Sequence, residues 1–232
     1  MSFPAGQPRS NEPQTQPGPR PMSQDVYNAL LSRFISSDVE PGSKITIDAL
    51  ARELDVSHTP IREALGRLEM NGLVVRQLNA GYRIASKMTR EQFENLVEIR
   101  LALEPLAARR AAERADPDEL DALNSLANRM MEIDEVDGQA AYAMFAQEDS
   151  EFHDRIAAAS KNELVRDALA RLGVHVRLFR LIHRARILTD ALAEHQAILD
   201  AVKSADPDAA SYHMRRHILR SADRFRESFD AE

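Results

Sequence analysis

The chain has 232 residues, of which 29% are charged and 44% hydrophobic, with a formal net charge of −7 and no cysteine. Those totals fit a soluble globular protein and exclude disulfides and thiolate chemistry, so any metal must be held by His and carboxylate. Basic residues coating the whole surface are excluded too, but the charge is uneven: residues 58–87 carry five basic and two acidic side chains, while residues 88–232 carry 20 basic against 28 acidic. A local basic face on an acidic protein suits an anionic partner at one end only.

The first 21 residues are rich in Pro, Gln and Gly. They lack the apolar centre of a secretory signal and bury too little to offset their ordering entropy, so they read as a disordered tail. No run approaches the roughly 18 consecutive apolar residues of a membrane span, which points to a cytoplasmic protein. Residues 25–36 place Val26, Leu30 and Ile35 at helical spacing. Pro41-Gly42 breaks the chain. A second helix follows, with Ile47, Leu50, Ala51 and Leu54 on its apolar side. Ser57 stands as an N-cap and Pro60 falls in the first turn of a third helix. That helix buries Ile61, Ala64, Leu65 and Leu68 and stops at Asn71-Gly72. "LVVRQ" and "GYRIAS", joined around Asn79 and Gly81, predict a β-hairpin.

Three helices and a hairpin predict a winged helix-turn-helix over residues 22–87. In this motif the N-terminal end of the third helix enters the major groove, and Thr59 and Arg62 point away from the buried stripe. A small helical domain with a solvated charged face has the same spacing, so periodicity alone leaves both readings open.

From residue 88 onward the pattern is helical almost throughout. The predicted helices are 90–115, 117–133, 139–159, 163–184, 191–203 and 207–229, joined by short loops into an antiparallel bundle over residues 88–232. Pro105 is expected to kink or divide the first. Asp116-Pro117 and Asp206-Pro207 read as N-cap plus first-turn proline. Several apolar stripes are interrupted by polar groups. At 100° per residue, Asp149 falls inside the stripe of Tyr142, Phe145, Phe152 and Ile156, with His153 one turn on. His195 sits among Leu192, Ile198, Leu199 and Val202. His217 edges the stripe of Met214, Ile218, Ala222 and Phe225.

A carboxylate aimed into a core is costly unless paired or bound to a cation. The four groups therefore read either as hydrogen-bonded core pairs or as a divalent-metal cage. His183 also lies on a stripe, while His175 and His213 read as partly exposed. Arg100 and Glu104 point along one stripe. They read as an internal i,i+4 ion pair, or Arg100 as a clamp for an effector carboxylate, with Arg177 and Arg180 weaker candidates.

"SHTPIREALGRLEMNGLV" followed by a glycine-bearing hairpin resembles the DNA-binding module of GntR-type transcription regulators. That resemblance implies that Ser57, Thr59 and Arg62 contact operator DNA and that the wing near Asn79 and Gly81 reaches the minor groove. Many members carry arginine where this chain has His58, within the same DNA-contacting turn. Some carry arginine where Asp48 stands. "EIRLALEPLAARRAA", Asp149-x-x-x-His153, "EHQAIL" and "MRRHI" resemble the FCD-type ligand-sensing domain of the FadR subfamily. By that resemblance Asp149, His153, His195 and His217 bind a metal, zinc or nickel, which helps hold a small carboxylate effector. The resemblance also implies a homodimer and, by family habit, a repressor. Two alternatives stay open: a metalloenzyme acting on a small organic acid, and a regulator whose metal is purely structural.

Overall fold

The computed structural model describes residues 23–35, 39–78, 81–133, 139–173, 178 and 188–230. The N-terminal tail, Asn79, His175, Arg177, Arg180 and His183 lie outside the described residues.

The fold is mainly helical, a winged helix-turn-helix followed by a helical bundle. Helix α1 (Ser23–Ile35) buries Val26, Tyr27, Leu30, Leu31, Phe34 and Ile35. After it come β1 (Lys44–Ile45), α2 (Ile47–Glu53) and α3 (His58–Met70). Helix α3 buries Ile61, Ala64, Leu65 and Leu68, the stripe its spacing predicts. Ser57 occupies the N-cap position, but its hydroxyl makes no capping hydrogen bond. Strands β2 (Val74–Gln77) and β3 (Gly81–Ile84) pair antiparallel, with Val74 opposite Ile84 and Gln77 opposite Gly81. Gly81 has φ +81°, a left-handed conformation that favours glycine at the turn. Sequence reading missed β1, which adds to β3 and makes the sheet order β1-β3-β2.

The bundle contains α4 (Arg90–Arg114), α5 (Pro117–Met131), α6 (Gln139–Ala159), α7 (Glu163–Leu172), α8 (Leu188–Lys203) and α9 (Pro207–Asp230). Capping boxes start α4 and α5: Thr89 with Gln92, and Asp116 with Glu119 ahead of Pro117. Pro105 does not divide α4, which runs unbroken through it. Packing along α9 outweighs the one intrahelical bond that proline removes.

The predicted helix 163–184 is corrected at its C-terminal end. Helix α7 stops at Gly173, which takes the left-handed C-cap conformation. That glycine also joins the two halves of the molecule. A Cβ placed there would lie 2.8 Å from the backbone oxygen of Asn71, the residue that caps α3. Helix α1 packs on α6 at the same seam.

Candidate metal centre and nucleic-acid interface

Burying one stripe of α3 leaves its other side in solvent. Ser57, His58, Thr59 and Arg62 are all exposed there, as is Gly81 on the wing. Two of the basic residues in the positive run serve the fold. Arg67 lies 3.8 Å over the Tyr27 ring and donates to Gln24, and Arg83 donates to Gln77 and to the Gly42 carbonyl, bracing the wing. At the start of α3, His58 Nε2 lies 3.1 Å from Asp48 Oδ1 on α2.

The four polar groups that interrupt the bundle stripes converge. Asp149 and His153 on α6, His195 on α8 and His217 on α9 are all buried, and one ligand atom from each lies within 4.8 Å of every other. The imidazole centroids are 4.6 to 5.5 Å apart. Phe152 packs 4.7 Å from His195 between ring centroids, with Phe145 on it at 6.3 Å, which keeps this side apolar.

His195 supplies the test of fit. It is only 1% exposed, and its Nε2 lies 3.1 Å from Asp149 Oδ1. Yet neither ring nitrogen has hydrogen-bond geometry with a partner among the described residues. Buried polar atoms without hydrogen bonds are costly. Three imidazoles and a carboxylate, none of them sulfur, form a donor set suited to zinc or nickel. The cluster could therefore hold a divalent ion.

Two carboxylates orient the imidazoles. Glu104 Oε2 lies 2.6 Å from His153 Nδ1. Glu194 Oε2 meets His217 Nδ1 at 2.9 Å. Each carboxylate is gripped from behind by a guanidinium. Arg100 donates to both Glu104 oxygens, at 2.6 and 3.3 Å, and Arg224 donates to both oxygens of Glu194. A carboxylate on Nδ1 fixes the tautomer that turns Nε2 toward a metal.

Burial opposes charge on Glu104, but Arg100 and His153 hold its carboxyl well below the usual range. Burial likewise opposes charge on Glu194, and its bonds to Arg224 and His217 bring it down to about 2. Burial lowers His217 to about 4 against the pull of Glu194, so the ring is neutral at pH 7, the form a metal ligand needs.

Helical spacing pairs Glu104 with Arg100 and gives no sign of its contact with His153. Glu194 was missed altogether, although three residues after Ala191 and four before Ile198 place it on the buried stripe. Arg100 is spent along its Nε–NH2 edge on Glu104.

These pKa displacements set an expectation for the metal-free protein. The unfolded chain protonates His217 near 6.5, while the folded site resists until about 4. The stability contributed is complete above about 6.5 and is lost as pH falls through about 4. The Glu194 contribution disappears lower, between 4.5 and about 2. The urea midpoint of chelated protein is expected to fall between pH 6.5 and 4, and less steeply in His217→Gln. A flat profile in the parent would contradict this.

The centre faces two cavities. One, of about 480 Å³, lies at the seam between the two halves; Glu104 and His153 line it together with Tyr27, Arg67 and Asn71 of the N-terminal half. The other, about 220 Å³, lies between α8 and α9 and is lined by Glu194, His213, Arg216, His217 and Arg220.

Comparison with known proteins gives matches over both halves. Residues 22–84 match the family described as bacterial regulatory proteins, gntR family, and residues 95–220 match the FCD domain. The Nta operon transcriptional regulator of Aminobacter aminovorans is 31% identical over 186 residues, covering 79% of this chain and 86% of that protein. The probable D-xylose utilization operon transcriptional repressor of Paenarthrobacter nicotinovorans is 29% identical, covering 85% of each. Among solved structures, E. coli McbR/YncC superposes with a TM-score of 0.67 at 20% identity, covering 89% of this chain and 98% of that one.

Proposed function

The chain belongs to the GntR family of bacterial transcriptional regulators and carries an FCD domain, and on that premise we propose that it is a metal-dependent sensor of a small organic acid that acts on operator DNA, in the sense of a repressor. Residues 22–87 form the DNA-binding domain and residues 88–232 the sensing domain. The observation that carries the sensing half is the buried convergence of Asp149, His153, His195 and His217.

Ser57, His58, Thr59 and Arg62 face the major groove, with the wing around Asn79 and Gly81 over the adjacent minor groove. Two copies of the chain match the two halves of a palindromic site. Arg62→Ala is expected to weaken operator binding roughly tenfold to a hundredfold, as loss of one Arg contact to DNA does. Unchanged affinity in a titration would remove Arg62 from the interface.

A zinc or nickel ion bound by the four ligands would supply a positive centre for one carboxylate of the effector. The chain does the rest. Glu104 and Glu194 hold the Nδ1 sides of His153 and His217. Phe145 and Phe152 keep water from the apolar side. Arg100 is the candidate second anchor for the acid, exchanging part of its grip on Glu104. The seam cavity supports a route to DNA, because a ligand there would touch both halves and so bind one arrangement of them better than another.

The test is a mobility-shift assay on DNA flanking the protein's own gene, with a panel of small organic acids, on metal-loaded and chelated protein. An acid is expected to change DNA affinity only in the loaded protein and without being consumed. An equal change in chelated protein would place the acid elsewhere, and turnover of the acid would favour an enzyme.

A further inference from the structure

The contact between His58 and Asp48 sits on the DNA-facing side of the molecule. Asp48 lies in the first turn of α2 and His58 is the first residue of α3, and their side chains are 50% and 71% exposed, His58 first. Ser57, Arg52 and Asp55 complete a shallow cup around them. In a helix-turn-helix the helix before the recognition helix crosses the sugar-phosphate backbone. A phosphate approaching that cup meets a carboxylate.

The chemistry of the pair constrains what can happen next. His58 Nε2 points at Asp48 Oδ1, 3.1 Å away, so in the neutral ring the hydrogen belongs on Nε2. Nδ1 then presents a lone pair. A phosphate oxygen is also an acceptor, so neutral His58 offers it nothing from Nδ1. The imidazolium has a donor on both nitrogens: Nε2 keeps Asp48 while Nδ1 reaches the phosphate. The other charged groups near the ring are Arg52 on α2, whose Nε donates to the Asp48 carbonyl, Asp55 in the connection, and Arg62 one turn along α3.

We propose that Asp48 and His58 together form one phosphate-contact position that works only when His58 has taken up a proton from solvent. Binding is then protein plus DNA plus one proton giving the complex. The pair matters little for folding, as an exposed ion pair, and much for binding. Asp48 repels phosphate from the unprotonated position. DNA affinity rises as pH falls through the histidine range. This position rests on the DNA-binding role of α3 and is independent of the metal centre.

The experiment measures affinity of the full chain for a mixed-sequence DNA duplex at fixed ionic strength, because a phosphate contact needs no operator. Parent, His58→Gln, His58→Arg and Asp48→Asn are compared from about pH 8 to about pH 6, the range of histidine titration. Relative to His58→Gln, the parent is expected to tighten by up to about tenfold per pH unit, the slope for uptake of one proton. His58→Arg, charged at every pH, is expected to bind more tightly than the parent at the upper end and to lack that extra slope. Asp48→Asn is expected to bind more tightly at the upper end.

Proton dependence from elsewhere in the protein is common to all four and cancels. Unchanged urea midpoints show that the fold is intact. Parallel profiles for parent and His58→Gln would overturn the proposal, as would a His58→Arg affinity no tighter than the parent at the upper end. An Asp48→Asn profile superposable on the parent would remove Asp48 from it. No DNA binding by any variant at any pH would instead overturn the DNA-binding role of α3.

Discussion

Glu104→Ala is expected to lower the unfolding free energy by about 3–5 kcal/mol, the usual cost of breaking a buried ion pair from one side. Arg100 and Glu104 are each 2% exposed. Removing the carboxylate leaves the guanidinium buried without its partner and deprives His153 of the group beside Nδ1. The Arg100→Met/Glu104→Leu double variant separates the two consequences. Apolar replacement of both partners leaves no charge stranded, so most of the stability is expected to return. Divalent-metal affinity is expected to stay low, by about 10- to 100-fold, because the orientation of His153 is not restored. Chemical denaturation and metal titration of both variants check this. A loss below about 1 kcal/mol in Glu104→Ala would mean that water reaches Arg100 and that the network is not sealed.

The second large effect belongs to the ligands. His195→Ala/His217→Ala removes two of the four donors, on two different helices. Bound divalent metal is expected to fall from near one ion per chain to near none, measured on protein dialysed against trace metal. With metal at a hundredfold excess over Kd the parent is expected to gain about 2.7 kcal/mol, which corresponds to roughly 5–10 °C in Tm for a chain of this size. The double variant is expected to gain nothing. Full occupancy in the variant would move the ligands elsewhere in the chain.

The DNA-binding half was largely legible because its signals are local. The spacing of Ile61, Ala64, Leu65 and Leu68 determines which side of α3 is buried, and therefore that Thr59 and Arg62 face outward. The strand of Lys44 and Ile45 was not legible, since two residues carry no alternation and their pairing with β3 bridges about 40 positions of chain. In the bundle, Asp149, His153 and His195 interrupt apolar stripes and His217 edges one, but His183 lies on a stripe too, so the set of four came from the resemblance to FCD domains and not from pattern alone. Glu194 did not stand out, because a glutamate on a helix is ordinary until its partners are known. Those partners, His217 and Arg224, come from the next helix. Gly173 carried a readable stop signal, but apolar residues continuing beyond it favoured one long helix. The backbone contact with Asn71 that also calls for a glycine there spans the two halves and has no trace in local pattern.

The seam gives the regulatory reading its physical content. Helix α7 reaches the cap of α3 through Gly173, and Arg166 on α7 pairs with Asp154, the neighbour of His153. A shift of α6 at the centre thus has packed neighbours leading to the recognition helix. Energetic coupling along that chain of contacts is a matter for double-mutant measurement.

The most direct measurement is anomalous diffraction from crystals of the zinc-loaded protein, collected on either side of the zinc absorption edge. The account predicts one strong peak per chain among Asp149, His153, His195 and His217, within normal coordination distance of all four. No peak there, or a peak elsewhere in crystals whose protein binds one zinc in solution, would contradict it.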